Sequence, residues 1–80
     1  MTTEDIEKQV TDILVDKLGV EPEEVKSEAD FREDLGGDSL DLMVVIMEIE
    51  KDFRISVTDE EADQVKTVAD LCDIVEKYQK

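Results

Sequence analysis

Residues 34–53 read DLGGDSLDLMVVIMEIEKDF, and this stretch decides the fold. Its glycine pair marks a turn, and the apolar residues that follow recur at helical spacing as far as Phe53. The spacing predicts a helix from about Ser39 to Phe53. One stripe of this helix has the character of a core-facing surface. It consists of Leu42, Val45, Ile46, Ile49 and Phe53.

The same helix carries a second apolar stripe on nearly the opposite side, which we call the outer stripe: Leu40, Met43, Val44 and Met47. In a domain of 80 residues a peripheral helix does not easily bury both sides. Either the outer stripe is an exposed patch for a partner, or Leu40 and Met43 fold under the preceding loop as core. The stripe is flanked by acids, which favours a partner with a hydrophobic groove ringed by Lys and Arg. These acids are Asp41, Glu48 and Asp52 on one edge and Glu50 on the other.

Three further helices are predicted. Thr2 or Thr3 caps the first, which ends at Gly19 and has the stripe Ile6, Val10, Ile13, Leu14 and Leu18. Thr58 opens a capping-box pattern, Thr58-Asp59-Glu60-Glu61, for a short third helix. Thr67 caps the fourth, whose stripe is Val68, Leu71, Val75 and Tyr78, with Ile74 beside it.

The connection over residues 20–38 is long for a compact domain, which favours a functional loop. Pro22 predicts one helical turn inside it, and the loop is expected to be pinned to the core by Val20, Val25, Phe31 and Leu35. The expected fold is therefore all-α: a four-helix bundle with a long first loop and a short third helix, forming a single domain over residues 1–80.

Charge, cysteine content and apolar segments limit the possible partners and location of the protein. The chain has 24 acidic and 9 basic residues, for a net charge of −15, so nucleic acid and anionic lipid surfaces are poor partners. The single cysteine, Cys72, excludes an intrachain disulfide, favours a reducing, cytoplasmic compartment and is expected to act as a small core residue. The first residues form no apolar signal segment, and the apolar run 42–47 is too short to span a bilayer. We therefore expect a protein that is not integral to a membrane.

Ser39 is the candidate functional residue, because it is displayed at the start of the two-faced helix. Nucleophilic catalysis requires a base beside the hydroxyl, but the chain contains no histidine. A dedicated metal site at Asp34, Asp38 and Asp41 is not expected, because the spacing does not match a calcium-binding loop. Covalent modification fits better, since a helix N-terminus favours an attached phosphate. The simpler alternative is that Ser39 or Asp38 only caps the helix.

Residues 34–41, DLGGDSLD, resemble the phosphopantetheine attachment motif of acyl carrier proteins, D-L-G-A-D-S-L-D. The likeness extends over nearly the whole chain, through Leu18-Gly19-Val20, Glu23-Glu24-Val25, Phe31, Phe53 and Asp59-Glu60-Glu61-Ala62. The resemblance implies a discrete carrier that is not an enzyme. It implies that Ser39 bears 4′-phosphopantetheine, and that acyl groups are bound as thioesters to the thiol of that arm rather than to Cys72. It also implies that Asp38 helps to present the site.

The resemblance also implies partners. A Mg²⁺-dependent phosphopantetheinyl transferase (holo-acyl-carrier-protein synthase) would load a monomeric carrier from coenzyme A. Acyl-processing enzymes with basic surfaces, of the ketosynthase, acyltransferase, reductase and dehydratase types, would then dock on helix two. The expected docking residues are Leu40, Asp41, Met43, Val44, Met47 and Glu48.

Two departures from the family pattern affect these expectations. Gly37 replaces the usual alanine, a mild change that is expected to loosen the turn before Ser39. Val44 stands where carriers of fatty acid synthesis commonly have a glutamate. The resemblance as a whole still implies a fatty acid role. Because Val44 departs from the fatty acid pattern, a specialised lipid or polyketide pathway is the rival expectation. An aminoacyl or peptidyl carrier, and an unmodified module that binds a helix groove, are the remaining alternatives.

Overall fold

Four helices and one helical turn account for the regular structure in a computed structural model that describes residues 2–79. Helix α1 covers Thr3–Leu18, a 3₁₀ turn follows at Pro22–Glu24, and α2 covers Ser39–Phe53. A short α3 spans Asp59–Asp63, and α4 spans Val68–Tyr78. Within the described range the one β-type pairing is an isolated bridge between Asp30 and Thr67. The predicted all-α bundle, with its long first loop and short third helix, is confirmed.

The helices begin where side chains can satisfy free backbone N–H groups. Thr2, Thr58 and Thr67 each cap a helix and form a capping box with an acid three residues later. Of the two threonines considered for α1, Thr2 is the cap. Gly19 ends that helix at φ 70°, a left-handed conformation that glycine adopts without steric cost.

The core lies where α1 packs against both α2 and α4. It contains the predicted stripes of those helices, although Leu18, Leu42 and Tyr78 are only half-buried. Among the residues described, no polar or charged side chain is buried. The buried set consists of Ile6, Val10, Ile13, Leu14, Ala29, Phe31, Leu35, Val45, Ile46, Ile49, Phe53, Val68, Leu71, Cys72 and Val75.

The long first loop is part of the packed structure. Phe31 and Leu35 are buried, and Val20 and Val25 pack half-buried against the core, as predicted. Backbone hydrogen bonds fasten the loop to the start of α4. The N–H of Phe31 donates to the Lys66 carbonyl at 2.8 Å, and the N–H of Val68 donates to the Ala29 carbonyl at 3.1 Å. These bonds to residues just before and at the start of α4 therefore fix the path of the loop into α2.

Helix α3 is fastened to α4 by a cluster that the sequence did not reveal. The Glu61 carboxylate accepts hydrogen bonds from the Tyr78 hydroxyl and, at 2.9 Å, from Lys77 Nζ. These two bonds, with a further one from the Thr58 N–H, lower the pKa of Glu61 to about 2. The same carboxylate raises the pKa of both Tyr78 and Lys77. A helix of five residues is thus held in place by a charged hydrogen-bond cluster.

None of the helices in the described part of the chain has the length and apolar character that crossing a bilayer requires.

Candidate functional site

The start of α2 is held by a pair of carboxylates. Asp38 is the N-cap, and its Oδ1 accepts a hydrogen bond from the Asp41 N–H at 2.9 Å. Asp41 returns the contact, because its Oδ2 accepts from the Asp38 N–H at 3.1 Å. This reciprocal pair makes Ser39 the first residue of the helix, with its side chain exposed. Asp38, rather than Ser39, therefore supplies the cap, and the hydroxyl of Ser39 is not needed for it.

The turn that precedes α2 and Ser39 is stabilised by hydrogen bonds to Asp30, a residue that was not predicted from the sequence. Asp30 Oδ1 accepts hydrogen bonds from the backbone N–H groups of Arg32 and Glu33, both at 2.9 Å. Asp34 Oδ2 in turn accepts from the Asp30 N–H at 2.7 Å. The bond from the Glu33 N–H is the main reason that the pKa of Asp30 is lowered.

These contacts also bear on metal binding. The carboxylates of Asp34, Asp38 and Asp41 each accept a backbone N–H of the turn or the cap, so they are directed at the chain rather than at a common point. Across residues 2–79 there is no group of three or more His, Cys, Asp or Glu side chains placed to hold a metal ion.

Gly37 has a packing role that the prediction of a mild, turn-loosening change did not include. The residue is buried, and its N–H donates to the Phe31 carbonyl at 3.0 Å. A Cβ built at this position would lie 2.3 Å from Cε1 of the Phe31 ring. Glycine therefore lets the ring pack directly against the backbone, and an alanine here would require the ring to move.

Arg32 is the second residue that the sequence reading missed. Its Nη2 donates a hydrogen bond to the Ser39 hydroxyl oxygen at 3.2 Å. A signal was present in the sequence, because Arg32 is the one basic residue between Lys26 and Lys51. The contact places a permanent cation, rather than a base, against the serine. A guanidinium cannot take the hydroxyl proton, so this contact does not activate the serine as a nucleophile.

The outer stripe of α2 faces solvent. Leu40 is 71% exposed, Met43 61%, Val44 46% and Met47 64%. The alternative in which Leu40 and Met43 fold under the loop as core is therefore wrong. Four large apolar side chains left in water on one helix face form a patch of the kind that binds other proteins.

The acids expected around this patch have different local roles. Asp41 belongs to the cap of α2, as described above. Glu50 is half-buried, and its Oε2 accepts from the Val57 N–H at 2.8 Å, which fixes the chain after the helix. Glu48 is half-buried in a groove between α1 and α2, with Asp12, Asp16 and Asp52 nearby. Acidic side chains therefore lie on both sides of the patch, with Asp12, Asp16, Glu48 and Asp52 on the α1 side and Glu50, Asp59 and Asp63 on the α3 side.

An open cleft of about 650 Å³ begins at Ser39 and runs between α2 and the segment that contains α3. Its inner wall is apolar and includes the half-buried Leu42 and the buried Ile46. The outer-stripe residues Met43 and Met47 form part of its rim. The remaining lining residues are Arg32, Glu50, Val57, Asp59, Ala62, Asp63 and Val65.

Cys72 lies away from this cleft in the core, with 7% of its surface exposed. Burial raises the pKa of its thiol to about 11, and the nearby carboxylates of Glu7, Glu76 and Asp73 act in the same direction. A protonated, buried thiol is a poor nucleophile. The prediction that Cys72 acts as a small core residue is confirmed.

Comparisons with known proteins agree with the sequence motif. Residues 8–75 match the family described as "Phosphopantetheine attachment site". Two strains of Porphyromonas gingivalis have relatives named "Acyl carrier protein" that are 49% identical over 76 residues, which is 95% of this chain and 97% of theirs. A relative of the same name from Bdellovibrio bacteriovorus is 45% identical over 75 residues, or 94% of this chain and 96% of its own.

Proposed function

The chain belongs to the acyl carrier proteins, and we propose that it carries acyl groups of fatty acid biosynthesis on a 4′-phosphopantetheine arm attached to Ser39. Members of this family are carriers rather than enzymes, and the arm supplies the terminal thiol that holds an acyl group as a thioester. The assignment to Ser39 is supported by the position of this serine in the structure. Its side chain is exposed at the first residue of α2 and borders a cleft whose inner wall is apolar.

The residues around Ser39 fit this role. Attachment creates an anionic phosphodiester, and the first N–H groups of a helix favour an anion there. Asp38 and Asp41 fix the start of α2, so a loading enzyme meets the serine in one position. Arg32 is a permanent cation and cannot act as a base, so we expect the transferase to supply the group that removes the hydroxyl proton.

The cleft between α2 and α3 supports an acyl cargo. A chain attached through Ser39 starts at one end of the cleft, and a wall formed by side chains such as Leu42 and Ile46 can accept methylene groups. Each buried CH₂ is worth about 0.8 kcal/mol, so an aliphatic cargo gains from this wall and a polar amino acid does not. This chemistry, like the names of the relatives, disfavours an aminoacyl or peptidyl carrier.

The outer stripe is the proposed docking surface for the transferase and for acyl-processing enzymes of the ketosynthase, acyltransferase, reductase and dehydratase types. Exposed apolar side chains provide its centre, and Asp38, Asp41 and Glu48 provide nearby negative charge. The net charge of −15 steers such a surface towards basic partners.

Val44 favours one second candidate, a carrier dedicated to a specialised lipid or polyketide pathway. It is 46% exposed within the docking stripe, so its side chain is available to a partner. An apolar group at this point fits an enzyme with an apolar pocket rather than a cationic one there.

The experiment that tests the assignment is enzymatic loading. The purified protein is incubated with coenzyme A, Mg²⁺ and a phosphopantetheinyl transferase, and its intact mass is measured. We expect the addition of one arm in the wild type and in the control variants Ser27→Ala and Ser56→Ala, and none in Ser39→Ala. Ser27 and Ser56 are matched controls, because both are exposed serines in loops rather than at a helix start. Loading that persists in Ser39→Ala would refute the assignment.

A further inference from the structure

Arg32 occupies a fixed place in the turn before α2. Its backbone N–H donates to Asp30 Oδ1 at 2.9 Å, and its carbonyl accepts from the Gly36 N–H at 3.1 Å. The backbone at Arg32 is therefore held on both sides. From this anchored position the side chain reaches Ser39, seven residues along the chain, and Nη2 donates to the hydroxyl oxygen at 3.2 Å.

The guanidinium of Arg32 has unused binding capacity. It offers five N–H donors in a planar fork, and the serine hydroxyl accepts one of them. Four acids of the turn and the helix cap have other partners, because backbone N–H groups donate to Asp30, Asp34, Asp38 and Asp41. Over residues 2–79 the ion pairs are Lys17–Asp16 and Lys77–Glu61, so Arg32 has no carboxylate within 4.0 Å.

We propose that Arg32 binds the phosphodiester formed on Ser39 and thereby holds the root of the arm at the mouth of the cleft between α2 and α3. The inference rests on the proposed attachment at Ser39. Modification places the phosphorus one bond from the oxygen that Nη2 already contacts. It also replaces a neutral hydroxyl with a group that has two non-bridging oxygens and one negative charge. Such a group matches a guanidinium fork with two parallel hydrogen bonds.

Local charge gives this contact a second effect. A phosphodiester on Ser39 would be near the carboxylates of Asp38 and Asp41, which cap the same helix start, and like charges repel each other. Arg32 is the one cation among the residues that line the cleft. It therefore offsets the repulsion at the attachment point and sets the direction in which the arm leaves the helix.

The test uses the full chain, loaded enzymatically, with intact mass confirming that one arm is present. The ³¹P NMR signal of the phosphodiester is recorded in the wild type, in Arg32→Gln and in Arg54→Gln. Arg54 is the matched control, because it is the other arginine of the chain and lies exposed at the far end of α2. We expect the ³¹P signal to shift and its relaxation to report a more mobile phosphate in Arg32→Gln, with little change in Arg54→Gln. Raising NaCl from about 0.1 M to about 1 M shortens the Debye length from about 10 Å to about 3 Å, so it should move the wild-type signal towards that of Arg32→Gln.

Two further measurements keep the proposal falsifiable if Arg32→Gln loads poorly. On loading of the wild type, the guanidinium ¹⁵N–¹H resonance of Arg32 should shift while that of Arg54 stays in place. The thermal unfolding midpoints of the wild type and Arg32→Gln are also compared, each in its loaded and unloaded form. Arg32→Gln should lower the midpoint of the loaded protein more than that of the unloaded one. The expected difference is about 1–8 °C, the size of an exposed charge pair in a domain of this length.

The outcomes separate this proposal from the one on which it rests. An unloaded Ser39 in the wild type would overturn both. Normal loading, with a ³¹P signal and an Arg32 resonance that respond no more than the Arg54 controls, would overturn the role of Arg32 alone.

Discussion

Two substitutions on opposite sides of α2 provide a sharp test of its exposed face. Ile46→Ala removes a buried core side chain that is 8% exposed, and Met43→Ala truncates an outer-stripe side chain that is 61% exposed. Large-to-alanine changes in a core cost about 2–5 kcal/mol. Since Ile46 also borders the open cleft, neighbouring side chains can relax into the space, and we expect the lower part of that range, about 2–3 kcal/mol.

The expected cost of Met43→Ala is much smaller. Full burial of a methionine is worth about 1.5–3 kcal/mol, and less than half of the Met43 surface is covered, so truncation should cost at most about 1 kcal/mol. In a domain of this size 1 kcal/mol moves the thermal midpoint by about 4–8 °C. We therefore expect a fall of about 8–24 °C for Ile46→Ala and of at most about 8 °C for Met43→Ala.

The assay pairs stability with docking. Urea and thermal unfolding give the free energy of unfolding of each variant, and initial rates of transferase loading give the KM for the carrier. Met43→Ala should raise that KM by about 3–10-fold, since an apolar contact at the centre of an interface is worth about 1 kcal/mol or more. If Met43→Ala is as destabilising as Ile46→Ala, the outer stripe is buried in the folded protein and the docking surface has been misassigned.

Three further predictions concern other parts of the chain. The pKa of Glu61 is lowered from 4.5 to about 2 in the folded protein, so its stabilising effect is complete above pH 4.5 and is lost as the pH falls towards 2. Unfolding measured by circular dichroism should therefore show a smaller loss of stability over that interval in Glu61→Gln than in the wild type. If stability falls equally with pH in both proteins, the hydrogen-bond cluster between α3 and α4 does not stabilise the fold. Cys72 is buried with a pKa of about 11, so iodoacetamide at neutral pH should react slowly with the native protein and rapidly in urea, and Cys72→Ala should still be loaded. Rapid native alkylation, or lost loading in a folded Cys72→Ala variant, would show that the thiol has a functional role. Val44→Glu should strengthen binding to basic enzymes of fatty acid synthesis and make it more salt-dependent, and unchanged affinity at low and high salt would place Val44 outside the interface.

The helices were predictable because the residues that start and stop them act locally. Thr58 and Thr67 each pair with an acid three residues later, and Gly19 supplies a left-handed cap, so these boundaries follow from short patterns. The two stripes of α2 were likewise visible from spacing alone. What spacing could not decide was whether the outer stripe is covered, because that depends on the path of the loop.

The features that were missed or misjudged depend on contacts between distant residues. Arg32 meets Ser39 because the loop is fastened to Lys66, more than thirty residues further along the chain. Glu61 reaches Tyr78 across 17 positions. The effect of Gly37 depends on where the Phe31 ring lies. The motif around Ser39 predicted the site, but it could not show which neighbouring side chains touch the serine.

Attachment of the arm to Ser39 can be tested by peptide mapping of the loaded wild-type protein. The protein is digested after loading, and fragment-ion mass spectrometry locates the added phosphopantetheine on the sequence. We expect the whole of the modification to lie on Ser39. An arm found on Ser27, on Ser56 or on Cys72 would contradict it.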